Sequence, residues 1–234
     1  TILGIQGESA PSNIVSTTPG FGYNWVVDKW GYQVVKTTYD GQYYIDRYYT
    51  DWPPQDIALD RANQIGLVTY PIGGRMDFVD LTDVSFIETF DRSDRNFIGN
   101  PYKVIFEPIS DMFWISDSGG AVYRISSTNQ QIELVSLDID KYGETVLNQN
   151  SGVIYIIDEK SDEIFRFTSN GGFIDKFSNI GDFIIKNPKY LDIDPSDEQF
   201  WLVEEFADQS YLYQGNLMQS QITLVDSFEY IADI

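Results

Sequence analysis

The stretch Asn170–Glu205, NGGFIDKFSNIGDFIIKNPKYLDIDPSDEQFWLVEE, decides the fold. A glycine pair turns the chain into an apolar run. A polar loop follows, then Asn187-Pro188, and then two further strand-like runs. Proline lacks the N–H that a central strand position uses, so Pro188 marks the beginning of a strand rather than its middle.

The same grammar recurs outward from this stretch. Pro11 leads PSNIVS, Pro54 leads PQDIALD, Pro101 leads PYKVIFEP, and the run ETVLNQNSG near Glu144 fills the one gap in the series. The chain divides into five units of about 43–47 residues: 11–53, 54–100, 101–143, 144–187 and 188–234. Each unit predicts a second strand (Asn24–Asp28, Ile65–Tyr70, Met112–Asp117, Val153–Asp158, Gln199–Glu204), then a third and a fourth. Gly73-Gly74, Gly119-Gly120, Gly171-Gly172 and Asp40-Gly41 supply the turns between them. Four short antiparallel strands per period of this length predict an all-β fold, a β-propeller with five blades in one domain, or six if the ends contribute. A single four-stranded sheet cannot bury both faces, and stacking such sheets radially does so. Residues 1–10 are expected to be an arm or a closing strand, and EYIADI at the other end has the same two readings. A longer polypeptide would allow six or seven blades.

Composition bounds the function. There are 36 acidic against 15 basic residues, a formal charge of −21. Such a surface repels phosphate and anionic lipid, so nucleic acid and the membrane surface are not expected partners. No apolar run approaches the roughly 18 residues a membrane helix needs. Cysteine and histidine are absent, which removes disulfides, thiolate chemistry and the commonest general base. Asn-x-Ser/Thr sequons are absent too. The first residue is Thr1, so the chain is expected to be processed, trimmed or a fragment.

FTSNGGFIDKFSNIGDFIIKNPKYLDID, with WISDSGGAVYRIS (114–126) and YIIDEKSDEIFRFT (155–168), resembles the NHL-like repeat of six-bladed-type propellers. The resemblance covers residues 100–205 best, weakens at 54–90, and departs in the count, five units where NHL repeats often number six. It implies a propeller fold whose relatives include binding scaffolds, extracellular sensors and lactone hydrolases, so it does not select a function.

Four second strands end in an acid: Asp28, Asp117, Asp158 and Glu204; the fifth ends in Tyr70. Lys36, Arg124 and Arg166 follow at seven or eight residues. The preferred reading is a capped turn or ion pair repeated with the fold. The sharper one is a calcium ion held by these four carboxylates, since hard cations take oxygen ligands; otherwise no cofactor is expected. Lactonase-like propellers use Glu, Asn and Asp around a metal, and Glu107, Asn148 and Asp192 are the oxygens such a site would draw on here, with Asp192 and Asp194 as a loose pair. The loops at 91–96 and 192–198 lack the calcium-loop pattern and read as turns.

The most unusual composition is TTYDGQYYIDRYYTDWPP (37–54). Tyr44 and Ile45 are expected to pack between blades. Tyr48, Tyr49 and Trp52 are the candidate binding residues, because aromatic rings offer a large contact area at low entropic cost. The function expected is a non-catalytic binding or structural module, extracellular or at a cell surface, or else a virion component. Its contacts are with a protein partner or other copies of itself. The alternatives are a metal-dependent lactonase-like hydrolase and a lectin reading glycans with its Tyr/Trp loops.

Overall fold

A computed structural model of the chain describes residues 14–15, 23–91, 99–128, 130–136, 138–194, 199–217 and 219–229. The expected N-terminal arm, the EYIADI end and most of the two Asp-rich loops lie outside the described residues. Among the described residues there are strands and turns and no helix, so no helix is long and apolar enough to cross a membrane.

Five four-stranded antiparallel sheets follow one another along the chain, each in the order first to fourth strand. Sheet 1 contains β1 (Ile14–Val15), β2 (Tyr23–Asp28), β3 (Gln33–Thr38) and β4 (Tyr44–Tyr49). Sheet 2 contains β5 (Asp56–Asp60), β6 (Ile65–Tyr70), β7 (Arg75–Asp80) and β8 (Phe86–Asp91). Sheet 3 contains β9 (Pro101–Glu107), β10 (Met112–Asp117), β11 (Val122–Ser126) and β12 (Ile132–Ser136). Sheet 4 contains β13 (Tyr142–Asn148), β14 (Val153–Asp158), β15 (Glu163–Phe167) and β16 (Phe173–Phe177). A small hairpin, β17 (Asn179–Ile180) with β18 (Phe183–Ile184), turns at Gly181 with φ of 59°. Its segment was expected to be a plain polar loop; Ile180 and Ile185 pin it to the core between sheets 4 and 5. Sheet 5 contains β19 (Pro188–Ile193), β20 (Gln199–Glu205), β21 (Gln209–Asn216) and β22 (Gln221–Glu229).

The first strands β5, β9, β13 and β19 lie against one another and line the middle of the molecule. The fourth strands are the most exposed and form the rim. Between neighbouring sheets lie the apolar cores. Trp25, Val27 and Val34 pack on Ile57, Val68 and Val79. Leu67, Met76 and Phe78 pack on Phe113 and Tyr123, with Phe78 and Phe113 edge to face at 5.9 Å. Trp114 and Val122 pack on Ile154, Ile156 and Phe167. Tyr155 and Ile157 pack on Leu191, Phe200 and Leu202. Each of these faces buries apolar area that one sheet alone would leave in water.

Two local devices repeat with the sheets. The turn from first to second strand is capped by the residue that ends the first strand. Asp60 Oδ1 accepts from the Ala62 and Asn63 amides, each at 3.1 Å; Glu107 accepts from Ile109 and Ser110, and Asn148 from Asn150 and Ser151. The pairing of third and fourth strands slips by one residue in every sheet, at Lys36/Thr37, Phe78/Val79, Val122/Tyr123, Arg166/Phe167 and Leu212/Tyr213. A bulge there raises the local twist, as a radial wedge requires at its rim.

Candidate binding surface

The acids that close the second strands serve the turns beside them. Asp158 Oδ1 accepts from the amides of Lys141 and Lys160, and Oδ2 from Asp140, all at 3.0 Å. Burial pushes its carboxyl up, but these amides outweigh that and hold it below the usual aspartate range. Asp117 accepts from the amides of Asn100 and Gly119. Glu204 accepts from the Lys186 amide at 2.6 Å and from the Tyr213 hydroxyl, and its burial raises it above the usual glutamate range. Asp28 takes the Gly31 amide at 2.7 Å and the Gln33 side chain at 2.8 Å. In sheets 3, 4 and 5 the acid therefore ties the loop leading into the first strand to the end of the second. Among the described residues no three acidic side chains gather where they could hold a metal ion.

The basic residues point elsewhere. Arg124 pairs with Glu133 and Arg166 with Asp175, each across from third to fourth strand. Lys36 donates to the Leu81 carbonyl of sheet 2 at 2.7 Å and lies 4.7 Å over the Tyr23 ring. None pairs with the acid that precedes it in its own sheet. Of the lactonase-type oxygens, Glu107 and Asn148 are committed to the turn caps described above. Asp192 is exposed on β19, and its Oδ1 accepts from the amide of Ile193.

The aromatic segment of sheet 1 departs from simple alternation. The slip at Lys36/Thr37 pairs Tyr44 with Thr37 but Tyr48 with Val34, so the two tyrosines leave the sheet on opposite faces. Tyr44 and Ile45, expected inside, are exposed. Tyr48 points into sheet 2, where its hydroxyl donates to Asp77 Oδ2 at 3.1 Å; burial and then the Asp77 charge push its pKa well up. Tyr49 is 66% exposed and Trp52 41%. They do not stand alone. Trp30 and Tyr32, in the turn between β2 and β3, are also exposed, and the Thr50 amide bonds the Tyr32 carbonyl at 2.9 Å. Trp52 lies over Gly73, at 3.4 Å from where a Cβ would stand, beside exposed Ile72. Five large apolar side chains thus cluster at one end of sheets 1 and 2. Trp30, Tyr32 and Ile72 were not singled out from the sequence, although each stands in a turn next to a glycine, where a large apolar residue has no core to enter.

At the same end, three inner strands bring Asp56, Lys103 and Glu144 together. Lys103 Nζ lies 3.1 Å from Glu144, and Asp56 Oδ2 accepts from the Val104 amide. Burial pushes Asp56 up to about 6, against the pull of the Lys103 ammonium. Burial opposes the Lys103 charge, yet Asp56 and Glu144 hold its pKa above the ordinary lysine value. A buried carboxyl poised near neutrality beside a cation is able to exchange a proton or receive a polar ligand.

No protein-family model matches the chain, and no curated protein matches it. Solved structures do. Virginiamycin B lyase from Staphylococcus aureus superposes with a TM-score of 0.73 at 14% identity, over 95% of this chain and 72% of that one. Hydrazine synthase from Kuenenia stuttgartiensis gives 0.73 at 10% identity, over 95% and 69%. A chain of a nidogen/laminin complex gives 0.67 at 12% identity, over 88% and 75%.

The chain is a β-propeller. Its five sheets are the blades, first strand innermost, and at these identities the likeness concerns the fold alone.

Proposed function

We propose that this propeller is a non-catalytic binding or structural module that contacts a protein partner, or further copies of itself, through the loops at one end of blades 1 and 2. The observation that carries this reading is the exposed cluster of Trp30, Tyr32, Tyr49, Trp52 and Ile72. Apolar patches that hold several aromatics on an otherwise acidic surface mark contact sites, because Trp and Tyr bring much area for little lost freedom. A propeller in a nidogen/laminin complex is consistent with such use of the fold. The setting proposed is extracellular or cell-surface, with a virion component as the variant of the same reading. The repeat is read as NHL-like on its Gly171-Gly172 turn and Asn187-Pro188 junction.

The experiment immobilises the chain and compares recovery of the bound partner with the Tyr49→Ala/Trp52→Ala double variant. Recovery is expected to fall at least about tenfold, the loss of one hot spot. Full recovery by a folded double variant would contradict the reading. A glycan array run in parallel tests the lectin reading: signal in the wild-type chain that Trp52→Ala abolishes supports it, and silence of the wild type removes it. For the hydrolase reading, calcium bound by three or more protein oxygens is required.

A further inference from the structure

Five blades ought to meet in five places if they close a ring, and four apolar cores join them. The seam without a core among the described residues is the one between blade 5 and blade 1. Equivalent positions on the second strands show it. On the face toward the next blade, Trp25, Leu67, Trp114 and Tyr155 are at most 4% exposed; Trp201, at the same position in blade 5, is only half-buried. On the face toward the preceding blade, Val68, Ile115, Ile156 and Leu202 are all at 0%, whereas Val26 of blade 1 is half-buried. The pattern extends along both faces. Val203 and Leu212 beside Trp201, and Val35 beside Val26, are also left partly open. The second strands of blades 2, 3 and 4 are buried on both faces, while those of blades 1 and 5 alternate buried and half-buried along their length.

We propose that these two open faces are blade-to-blade contacts, and that in the working protein each is covered by a further four-stranded blade of the same polypeptide, two in all, closing a ring of seven. The interfaces already present identify the occupant. Each open face offers an apolar residue at the position that its neighbours bury, in the register a blade of this repeat would meet. The number follows from the comparisons. The 95% of this chain that matches the Staphylococcus lyase accounts for 72% of that chain. This leaves roughly 90 residues beyond the match, about two units of this repeat length. A second copy of the five-blade arc is too large to enter a gap of that size, and two arcs meeting head to tail would leave an open face at each end.

The test begins with the protein isolated from its source. Its intact mass is expected to exceed that of the 26.8 kDa chain by about two repeat units, each ring being made of one chain. The 234-residue chain alone is expected to bind a hydrophobic dye, and Val26→Lys/Trp201→Glu is expected to abolish most of that signal while leaving the chain folded. In the native protein Trp201→Glu is expected to unfold the ring, and Trp114→Glu is expected to unfold either form. A native protein of 26.8 kDa with no further blades overturns the proposal. So does a dimer of arcs joined through the Val26 and Trp201 faces, and so does Trp201→Glu unfolding the 234-residue chain, which would mean that the face is already covered within it. None of these outcomes depends on whether Tyr49 and Trp52 bind a partner.

Discussion

Gly120 and Gly41 are both in the left-handed region, with φ of 99° and 68°, and both were visible in the sequence as turn glycines. Their surroundings were not. A Cβ on Gly120 would stand 1.7 Å from the Ile139 carbonyl oxygen, while around Gly41 nothing lies within 4 Å. Gly41→Ala is expected to cost only the left-handed backbone, about 1–2 kcal/mol. Gly120→Ala is expected to cost about 4 kcal/mol or more, because rigid backbone must move; thermal unfolding of the two variants separates the cases. Asp56 makes a prediction of the opposite sign. It holds its proton more tightly folded than unfolded, with a folded pKa of about 6 against 3.8. The folded state therefore binds more protons between those values, stability falls as pH rises through that window, and the cost stands in full above it. Asp56→Asn is expected to stabilise the chain by roughly 1–3 kcal/mol at pH 7.5, with the gain gone below pH 4, as read from denaturant midpoints.

Each blade's strands were readable from alternation and turn residues, and nearly every second-strand boundary follows from where the apolar run begins. The bulge before each rim strand was not. It adds one residue without a compositional mark, and that one residue sent Tyr48 inward and Tyr44 outward. The β17–β18 hairpin was missed for a similar reason, since two-residue strands carry no period. Trp114 and Trp201 stand at the same place in β10 and β20, one enclosed by two blades and one by one. In the 234-residue chain Trp114→Ala is expected to cost about 3–5 kcal/mol and Trp201→Ala less than half as much. Equal costs would mean that both faces of blade 5 are covered.

For the molecule as a whole, the repeat period was legible because prolines and glycine turns punctuate it. The axial trio was not, since Asp56, Lys103 and Glu144 lie more than 40 residues apart and only the ring brings them together. Nor was the seam between blades 5 and 1, where the described residues form no apolar core; it is a property of the arc and of no single unit. The absence of cysteine allows a direct check, because introduced thiols are the only ones to label. Ile45, Ile87, Leu134, Ile174 and Val225 are exposed on the five rim strands, one per blade. Spin-label distances between double-cysteine variants at neighbouring rim sites are expected to be nearly equal around the arc, with the 45–225 pair clearly longer than any of them. A 45–225 distance as short as the neighbouring pairs would contradict the open arc, and unequal neighbouring distances would contradict the radial stack of blades itself.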